Sequence, residues 1–549
     1  MRASDLLLSL LQQCMAELGL EWPAKAVIEP PRDKKFGDLA ANCALVAAKA
    51  SGRKPVELAK DLAQRLLAAS DQIAAVEVAG PGFLNVTFAP SFWQSRITLV
   101  EQAGDRFGSS ETGRGIKAQV EFVSANPTGP LHIGHGRGAA VGDSIARIMR
   151  FAGFEVESEY YINDAGRQMR MLGKSIRLRL LELAGEDIGN FPDDCYKGGY
   201  IIDIAGKLLK ERPELPKLPE AEAEDICYEY GLEFIFTGIK NDLLNFNVHH
   251  DVWFSEKSLV EDGSVERTLA GLKAAGLAFE QDGALWFDTM RFGDDKNRVL
   301  QKSDGTLTYF ASDIAYHANK FGRGFISVTD VWGADHHGYI PRMRAAVAAL
   351  NQPPESFDVV LVQLVNLLQD GEQIAMSTRA GAFETLADVI NEVGTDAARF
   401  MFLSRKSDSK LDFDLSLVRQ RSMDNPVYYV QYAHARVCAL LRKAGERGLD
   451  LEAEGNIALL TEAEELDILK ELDRFSQVVI DAALGKAPHH ISFFLMDLAG
   501  LLHRHYARHQ VLGAHDPLLA SARLRLLRAV GQCLKNGLAL LGVSAPESM

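Results

Sequence analysis

The pattern of apolar and polar positions changes in type along the chain, and its middle predicts alternating strands and helices. Residues 118–123 and 156–162 have the apolar–polar alternation or β-rich composition of strands. Between them, residues 138–151 carry apolar side chains at helical spacing. Further buried-strand candidates lie at 326–332 and 359–365. A strand, a helix and a strand of these lengths predict a βαβ unit in a parallel sheet.

The two ends of the chain have different patterns. The first 18 residues predict an amphipathic helix and not a signal peptide, because Asp5 interrupts them and no cleavage site follows. Residues 83–88 alternate as a strand does. From Asn425 and Pro426 onward the pattern is helical, and these two residues suit a helix cap and a first turn.

Two polar, glycine- or charge-rich runs, at 104–115 and 404–414, divide the chain into three units. The predicted fold class is α/β, with a Rossmann-type doubly wound parallel sheet between an N-terminal α+β unit and an all-α C-terminal bundle. The predicted units are residues 1–112, residues 113–415 with an insertion at about 165–300, and residues 416–549.

Composition narrows the class of protein. The 549 residues carry a net charge of −15, with 47% hydrophobic and 24% charged residues, which excludes disordered, collagen-like and small disulfide-rich proteins. The six cysteines are widely spaced without a C-x-x-C pair, which favours reduced thiols in a cytoplasmic protein. No apolar run is long enough to predict a membrane span. The acidic total does not exclude nucleic-acid binding, which needs only a local basic surface.

The most informative segment is 121–138, EFVSANPTGPLHIGHGRG, which links a predicted strand to a helix. Free backbone N–H groups at such a helix N-terminus bind phosphates, and Gly134 and Gly136 would allow a close approach. His132 and His135 could each donate to phosphate oxygens.

Three interpretations of this loop compete. It is a glycine-rich turn with two surface histidines, or a dinucleotide site built on Gly134, Gly136 and Ala139, or a site at which both histidines act on ATP. The dinucleotide pattern is degenerate and does not account for the histidines or for the proline before them.

Residues 130–135, PLHIGH, resemble the HIGH signature of class I aminoacyl-tRNA synthetases, and the surrounding motifs resemble the arginyl-tRNA synthetase family. The resemblance spans nearly the whole chain in order. It is carried by 36–38 (FGD), 121–126, 160–168 (YYINDAGRQ), 196–200 (YKGGY), 251–256 (DVWFSE), 303–316, 332–339 (WGADHHGY) and 541–547 (LGVSAPE).

This resemblance implies a two-step reaction: arginine and ATP form an adenylate, and the tRNA terminal ribose then takes the arginyl group on its 2′-OH. It also implies that tRNA is required for the first step. The implied partners are ATP, L-arginine and the tRNA for arginine, with Mg²⁺ held largely by the phosphates of ATP and by water. The histidine pairs at 336–337 and 503–505 have no cysteine or third ligand at suitable spacing, so no zinc site is expected. We expect a monomer that does not bind membranes.

The same resemblance implies which residues handle ATP. The two histidines match the HIGH positions, and residues 375–381 (AMSTRAG) take the place of the KMSKS loop. Ala375 and Thr378 replace both lysines of that loop, so we hypothesise that Arg379, its one cation, assists catalysis. The implied ATP-binding set is His132, Gly134, His135, Gly136, Met376, Ser377 and Arg379.

The resemblance also implies the arginine pocket. Tyr309 and Asp313 lie four residues apart, so on a helix they share a face and can read the guanidinium. Either Asp335 or His336 would complete that end. The α-amino and carboxylate end would be held by Glu121, Ser124 and Asn126.

A basic surface for RNA is predicted in the C-terminal unit, which resembles an anticodon-binding domain. Six cations lie between residues 501 and 535, with histidines and a tyrosine interleaved, a composition suited to unstacked RNA. The predicted tRNA-binding residues are Arg504, Arg508, Tyr428 and Tyr432. A solvated helix face, or core packing of the tyrosines, explains the same pattern.

The sequence is also compatible with two other functions. The Gly134 pattern would suit an NAD-type oxidoreductase. The missing loop lysines would suit a catalytically impaired tRNA-binding paralogue.

Overall fold

A computed structural model describes residues 1–164, 167–373, 385–449, 456–514 and 516–549. The N-terminal unit packs helices on an antiparallel sheet of strand order β1-β2-β4-β3, as the α+β prediction requires. Its elements are α1 (Ala3–Glu17), β1 (Ile28–Glu29), β2 (Leu39–Ala41), α2 (Cys43–Ser51), α3 (Pro55–Ala69), β3 (Ile73–Ala79), β4 (Phe83–Phe88) and α4 (Pro90–Ala103). The predicted helix at the start and the strand at 83–88 are confirmed.

The central unit is built on a parallel sheet in which β5 (Lys117–Glu121) is the middle strand. Helix α5 (Ile133–Phe151) crosses from it to β6 (Glu155–Ile162), so the predicted βαβ unit is confirmed. Three insertion helices follow before β7 (Val252–Ser255), which pairs with β6. They are α6 (Arg167–Leu183), α7 (Gly199–Glu211) and α8 (Glu220–Asn245).

The second half of the sheet lies on the other side of β5. Its strands are β11 (Ser327–Gly333) and β12 (Phe357–Val362), which give the order β12-β11-β5-β6-β7. The elements between β7 and β12 are α9 (Glu256–Glu261), α10 (Ser264–Ala274), β8 (Ala278–Gln281), β9 (Ala284–Phe287), β10 (Arg298–Gln301), α11 (Tyr309–Gly322) and α12 (Ile340–Ala349). Strand order reverses between β5 and β11, and such a switch point opens a crevice at the carboxyl ends of the strands.

Helices form the C-terminal unit, as predicted. A small sheet and three short helices lead into it: β13 (Val365–Gln369), β14 (Glu372–Gln373), α13 (Leu386–Val393), α14 (Thr395–Phe402), β15 (Leu411–Asp414) and α15 (Leu415–Arg419). The bundle consists of α16 (Pro426–Glu446), α17 (Ala463–Leu484), α18 (His489–Arg508) and α19 (Pro517–Leu540). Asn425 caps α16 by accepting the Val427 N–H, as its sequence position predicts.

One buried arginine joins three distant segments. Arg399 is fully buried on α14, and its guanidinium pairs with Asp143 of α5 at 2.5 Å. It also donates to the carbonyls of Phe246, just after α8, and of Leu541, at the end of α19. Because a buried guanidinium must have all its donors satisfied, this residue fixes the C-terminal helix against the sheet helices.

The six cysteines are free thiols, as their spacing predicts. No helix in the described part of the chain combines the length and apolar character needed to cross a bilayer.

Candidate active site

A cavity of about 400 Å³ opens at the switch point of the central sheet. The carboxyl ends of β5, β6 and β11 form one side, and helix α11 forms another. Of the seven predicted arginine-binding residues, the cavity is lined by Glu121, Ser124, Tyr309, Asp313 and His336.

The backbone turns sharply where β5 ends. Val123 and Ser124 both have positive φ, 70° and 40°, a conformation that a β-branched residue rarely adopts. The turn lets the Ser124 hydroxyl donate to Glu121 at 2.9 Å and accept the Tyr161 N–H at 3.1 Å. Such strain costs of order 1–3 kcal/mol and persists only where neighbouring contacts hold it.

Below this turn lies a buried charge cluster, the Lys320 cluster, formed by Glu121, His317, Lys320 and Asp330. Lys320 is fully buried, and its ammonium donates to Glu121 at 2.6 Å and to Asp330 at 2.8 Å. His317 lies 3.1 Å from the other oxygen of Asp330. Burial raises the pKa of Glu121, and the Lys320 charge opposes that rise. Against burial, Lys320 holds the pKa of Asp330 below its ordinary value.

Helix α11 places the predicted guanidinium readers on one face, as their spacing predicts. Tyr309, in the first turn, is 60% exposed at the cavity mouth, and Asp313 lies one turn further along. The Tyr339 hydroxyl donates to Asp313 at 2.5 Å. Burial raises the pKa of Asp313, and this hydrogen bond counteracts the rise. Tyr339 ends the WGADHHGY motif but is not among the predicted site residues.

Glu256, at the end of the DVWFSE motif, is also absent from the predicted site residues. It begins α9 and is 6% exposed, with Ser312 of α11 hydrogen-bonded to it. Burial, together with the charges of Asp313 and Asp164, raises the pKa of Glu256 to about 7. Two carboxylates, Asp313 and Glu256, therefore repel each other near the cavity, an arrangement that a bound cation would relieve.

The other predicted pocket residues lie further out. Asn126 is exposed and does not line the cavity. Asp335 and His336 are 76% and 64% exposed and face each other at 3.5 Å. His336 reaches the cavity lining but Asp335 does not, so the structure favours His336 of the two.

The two histidines of the HIGH motif form a reciprocal cap at the start of α5. The Nδ1 atom of His132 accepts the N–H groups of Gly134 and His135, while the Nδ1 atom of His135 accepts the His132 N–H. Their rings stack with centroids 3.6 Å apart. Burial lowers the pKa of both, to about 3 for His135, so both rings are neutral at pH 7. Because each Nδ1 accepts, each Nε2 carries the proton and is free to donate.

The two motif glycines have roles other than the expected ones. The Gly134 N–H is held by His132, and the Gly136 N–H donates to the His132 carbonyl at 3.2 Å. These two N–H groups are therefore engaged within the helix start, and the role of both glycines in ATP binding stays a prediction. A Cβ atom at Gly136 would lie 2.5 Å from Leu386, so this glycine permits close packing of α5.

Two tyrosines position the loop between Ser124 and His132. The hydroxyl of Tyr160 donates to the Ala125 carbonyl at 2.8 Å, and that of Tyr200 donates to the Thr128 carbonyl at 2.7 Å. Tyr200 ends the YKGGY motif, which explains how that distant segment contributes to the site. The predicted residues Met376, Ser377 and Arg379 lie outside the described residues.

Much of the predicted basic surface between residues 501 and 535 is already paired with acids. Arg525 pairs with Glu101 at 2.6 Å, and Lys535 pairs with Asp105 at 2.9 Å. Both acids belong to the N-terminal unit, so these cations hold two units together. Arg508 pairs with Glu464. These cations are therefore engaged within the fold, and the RNA-binding role of this surface stays a prediction.

The predicted tyrosines instead form an aromatic strip with His503 and Tyr506. Tyr428 and Tyr432 stack on α16 with ring planes 7° apart, and His503 of α18 stacks against Tyr432. The guanidinium of Arg436 lies 3.5 Å from the Tyr506 ring centre. Arg504 is exposed on α18 beside this strip. Half-buried rings next to cations form a surface on which unstacked bases can stack.

Within the described chain, one group of side chains is close enough to share a metal ion: Glu462, Glu464 and His509. Glu464 already bonds to Arg508 and His509, so its oxygens are engaged. The predicted absence of a zinc site stays a prediction.

Comparison with protein families divides the chain into three matched regions. Residues 5–88 match "Arginyl tRNA synthetase N terminal domain", residues 100–413 match "tRNA synthetases class I (R), catalytic domain" and residues 430–549 match "DALR anticodon binding domain".

Similar proteins cover the full length of the chain. It is 65% identical to an arginine–tRNA ligase of Nitratidesulfovibrio vulgaris strain Miyazaki F and 52% identical to one of Lawsonia intracellularis, with all of both chains covered in each comparison. A solved arginyl-tRNA synthetase from Thermus thermophilus, 23% identical, superposes over all of both chains with a TM-score of 0.76, which shows a shared fold.

Proposed function

The chain belongs to the arginyl-tRNA synthetase family, and from this premise we propose how its residues divide the work of charging tRNA with arginine. Its activity is that of an ATP-dependent class I arginine–tRNA ligase. The comparisons give no support to the oxidoreductase or to the impaired paralogue. This assignment of roles rests on the cavity at the switch point, which is lined by the carboxylate of Glu121 towards one end and that of Asp313 towards the other.

We assign the amino-acid substrate to this cavity in a fixed orientation. Asp313, held by Tyr339, takes the guanidinium, and Tyr309 covers it from the mouth. Glu256, which does not line the cavity, adds a second negative charge behind that end. Glu121 and Ser124 hold the α-ammonium end, with Asn126 nearby on the loop. A guanidinium needs a planar acceptor, and the Asp313 carboxylate provides one.

The α-carboxylate then attacks the α-phosphorus of ATP, and pyrophosphate leaves. His132 and His135 donate their Nε2–H groups to phosphate oxygens, where charge develops during the reaction. Neutral donors held by a reciprocal cap are preorganised and need no reorganisation during the step. Met376, Ser377 and Arg379 remain predictions for the triphosphate side.

Mg²⁺ would be bound mainly by phosphate oxygens and water. The carboxylates of Glu121 and Asp330 are bonded to Lys320 and are poor candidates for direct metal ligands. We further propose that the enzyme works as a cytoplasmic monomer, without zinc and without membrane association.

The assignment is tested by ATP–pyrophosphate exchange that depends on arginine and on the tRNA for arginine. Exchange with both present is expected. The absence of exchange in a folded protein that binds tRNA would revive the impaired paralogue.

The arginine KM is expected to fall about tenfold between about pH 6 and pH 8, because Glu256 has a pKa near 7. Below that pKa Glu256 is protonated and neutral, and above it the carboxylate attracts the guanidinium. Arginine itself keeps its charge throughout. KM is measured by exchange at each pH.

Glu256→Gln is expected to raise KM and to flatten this profile. Asp335→Asn, outside the cavity, is the matched control and should keep the wild-type profile. A wild-type profile in Glu256→Gln would show that the charge of Glu256 does not act on arginine binding.

Arg504→Gln is expected to weaken tRNA binding and to reduce the slope of log affinity against log salt by about one, as the loss of one phosphate contact does. Arg525→Gln is the matched control, because its guanidinium already pairs with Glu101. Affinities are measured by filter binding over a salt series. Equal effects of the two substitutions would reject the aromatic strip as the RNA surface.

A further inference from the structure

We propose that Lys320 is a positioning residue for the α-ammonium of arginine, acting through Glu121. This inference rests on the proposed orientation of arginine in the cavity. Lys320 itself does not line the cavity and so does not touch the substrate.

The geometry of Glu121 carries the argument. One of its oxygens accepts from Lys320 at 2.6 Å, and the other accepts from Ser124 at 2.9 Å. The carboxylate is thus held at both oxygens, and Glu121 lines the cavity. A carboxylate accepts several hydrogen bonds at once, so these two contacts leave room for a substrate ammonium.

Lys320 also sets the charge of Glu121. At 8% exposure, a carboxylate without a cation would favour its neutral form. A neutral Glu121 would lose most of its attraction for an ammonium group. The Lys320 ammonium favours the charged form of Glu121 and opposes the effect of burial on its pKa, whereas the neighbouring Asp330 carboxylate disfavours that form.

The cluster extends to the guanidinium end. His317 contacts Asp330 through Nε2 and the carbonyl of Asp313 through Nδ1, at 3.1 and 2.8 Å. The carbonyl accepts, so the Nδ1 atom carries a proton. Lys320 therefore belongs to a bonded chain that links the floor of the amino end to the helix turn bearing Asp313.

The test compares arginine with its desamino analogue, guanidinopentanoate, which keeps the guanidinium and carboxylate but lacks the α-amino group. In Lys320→Met, the arginine KM in tRNA-dependent exchange is expected to rise about tenfold or more, as the loss of a charge-assisted contact does. The inhibition constant of guanidinopentanoate is expected to stay within about threefold, because that ligand has no ammonium for Glu121 to hold.

A purely structural role for Lys320 would weaken both ligands equally, and that result would overturn the proposal, as would no change in either. The double variant Lys320→Met with Asp330→Asn removes one positive and one negative charge, so it repeats the test without leaving Asp330 as an unpaired buried carboxylate. Lys117→Met is the matched control, because Lys117 lies at the opposite end of β5, bonded to the Arg323 carbonyl.

The Glu121→Gln variant distinguishes a failure of the proposed arginine orientation from a failure of the proposed role of Lys320. If Glu121→Gln no longer discriminates between arginine and guanidinopentanoate while Lys320→Met still does, the proposed orientation of arginine is supported and the proposed role of Lys320 is wrong. If Glu121→Gln also keeps full discrimination, the orientation of arginine proposed above fails, and the role of Lys320 fails with it.

Discussion

In Asp313→Asn, kcat/KM for arginine is expected to fall by roughly 200- to 5,000-fold, because removing one partner of a buried ion pair costs about 3–5 kcal/mol. The amide has the shape of the carboxylate and can still accept from Tyr339. What it loses is the negative charge opposite the guanidinium. The loss should appear mainly in the arginine KM, with a smaller change in the ATP KM.

Asp335→Asn is the control for this experiment. Asp335 lies outside the cavity with its side chain 76% exposed, so exchange of Asp for Asn there should change kcat/KM little. Near-normal turnover by Asp313→Asn would show that the guanidinium binds elsewhere.

The second large effect is expected at His132. In His132→Asn, the kcat of exchange should fall by roughly 10²–10³, the usual cost of losing one preorganised donor to a charged transition state. The arginine KM should stay nearly constant, because His132 acts on the phosphates.

The asparagine substitution separates the role of His132 as a helix N-cap from its proposed role as a donor to phosphate oxygens. Its Oδ1 atom takes the place of Nδ1 and is a good N-cap, so the thermal unfolding midpoint should stay close to wild type. His132→Ala loses the cap as well and should cost about 1 kcal/mol more in stability. A normal kcat in His132→Asn would remove the histidine from catalysis.

Local patterns made part of this site predictable. Tyr309 and Asp313 share a face because helix geometry brings residues four apart together, and this needs no knowledge of the fold. The loop from Glu121 to His135 was identified for the same reason: a strand, a glycine-rich turn and a helix start are adjacent in sequence. The reciprocal histidine cap was not predicted, although it too is local, because the pattern left the use of the backbone N–H groups open.

Contacts between residues that are far apart in the sequence could not be predicted from local sequence patterns. Lys320 meets Glu121 across 199 positions of sequence, and no pattern in either segment indicates the other. The pairing of Arg525 with Glu101 was unpredictable for the same reason, because the two residues are 424 positions apart. A cation counted as available to RNA was already paired within the fold.

The contacts of Arg399 with Asp143, Phe246 and Leu541 connect the central and C-terminal units and limit how independently the two can be exchanged. Asp143 lies 11 residues along α5 from His132, which is about 16 Å of rigid helix. If the chain were cut between the central and C-terminal units, the buried guanidinium of Arg399 would lose its hydrogen bond to the Leu541 carbonyl. The C-terminal bundle is therefore not a detachable module, and exchanging it for the bundle of another synthetase would have to carry this single arginine contact with it.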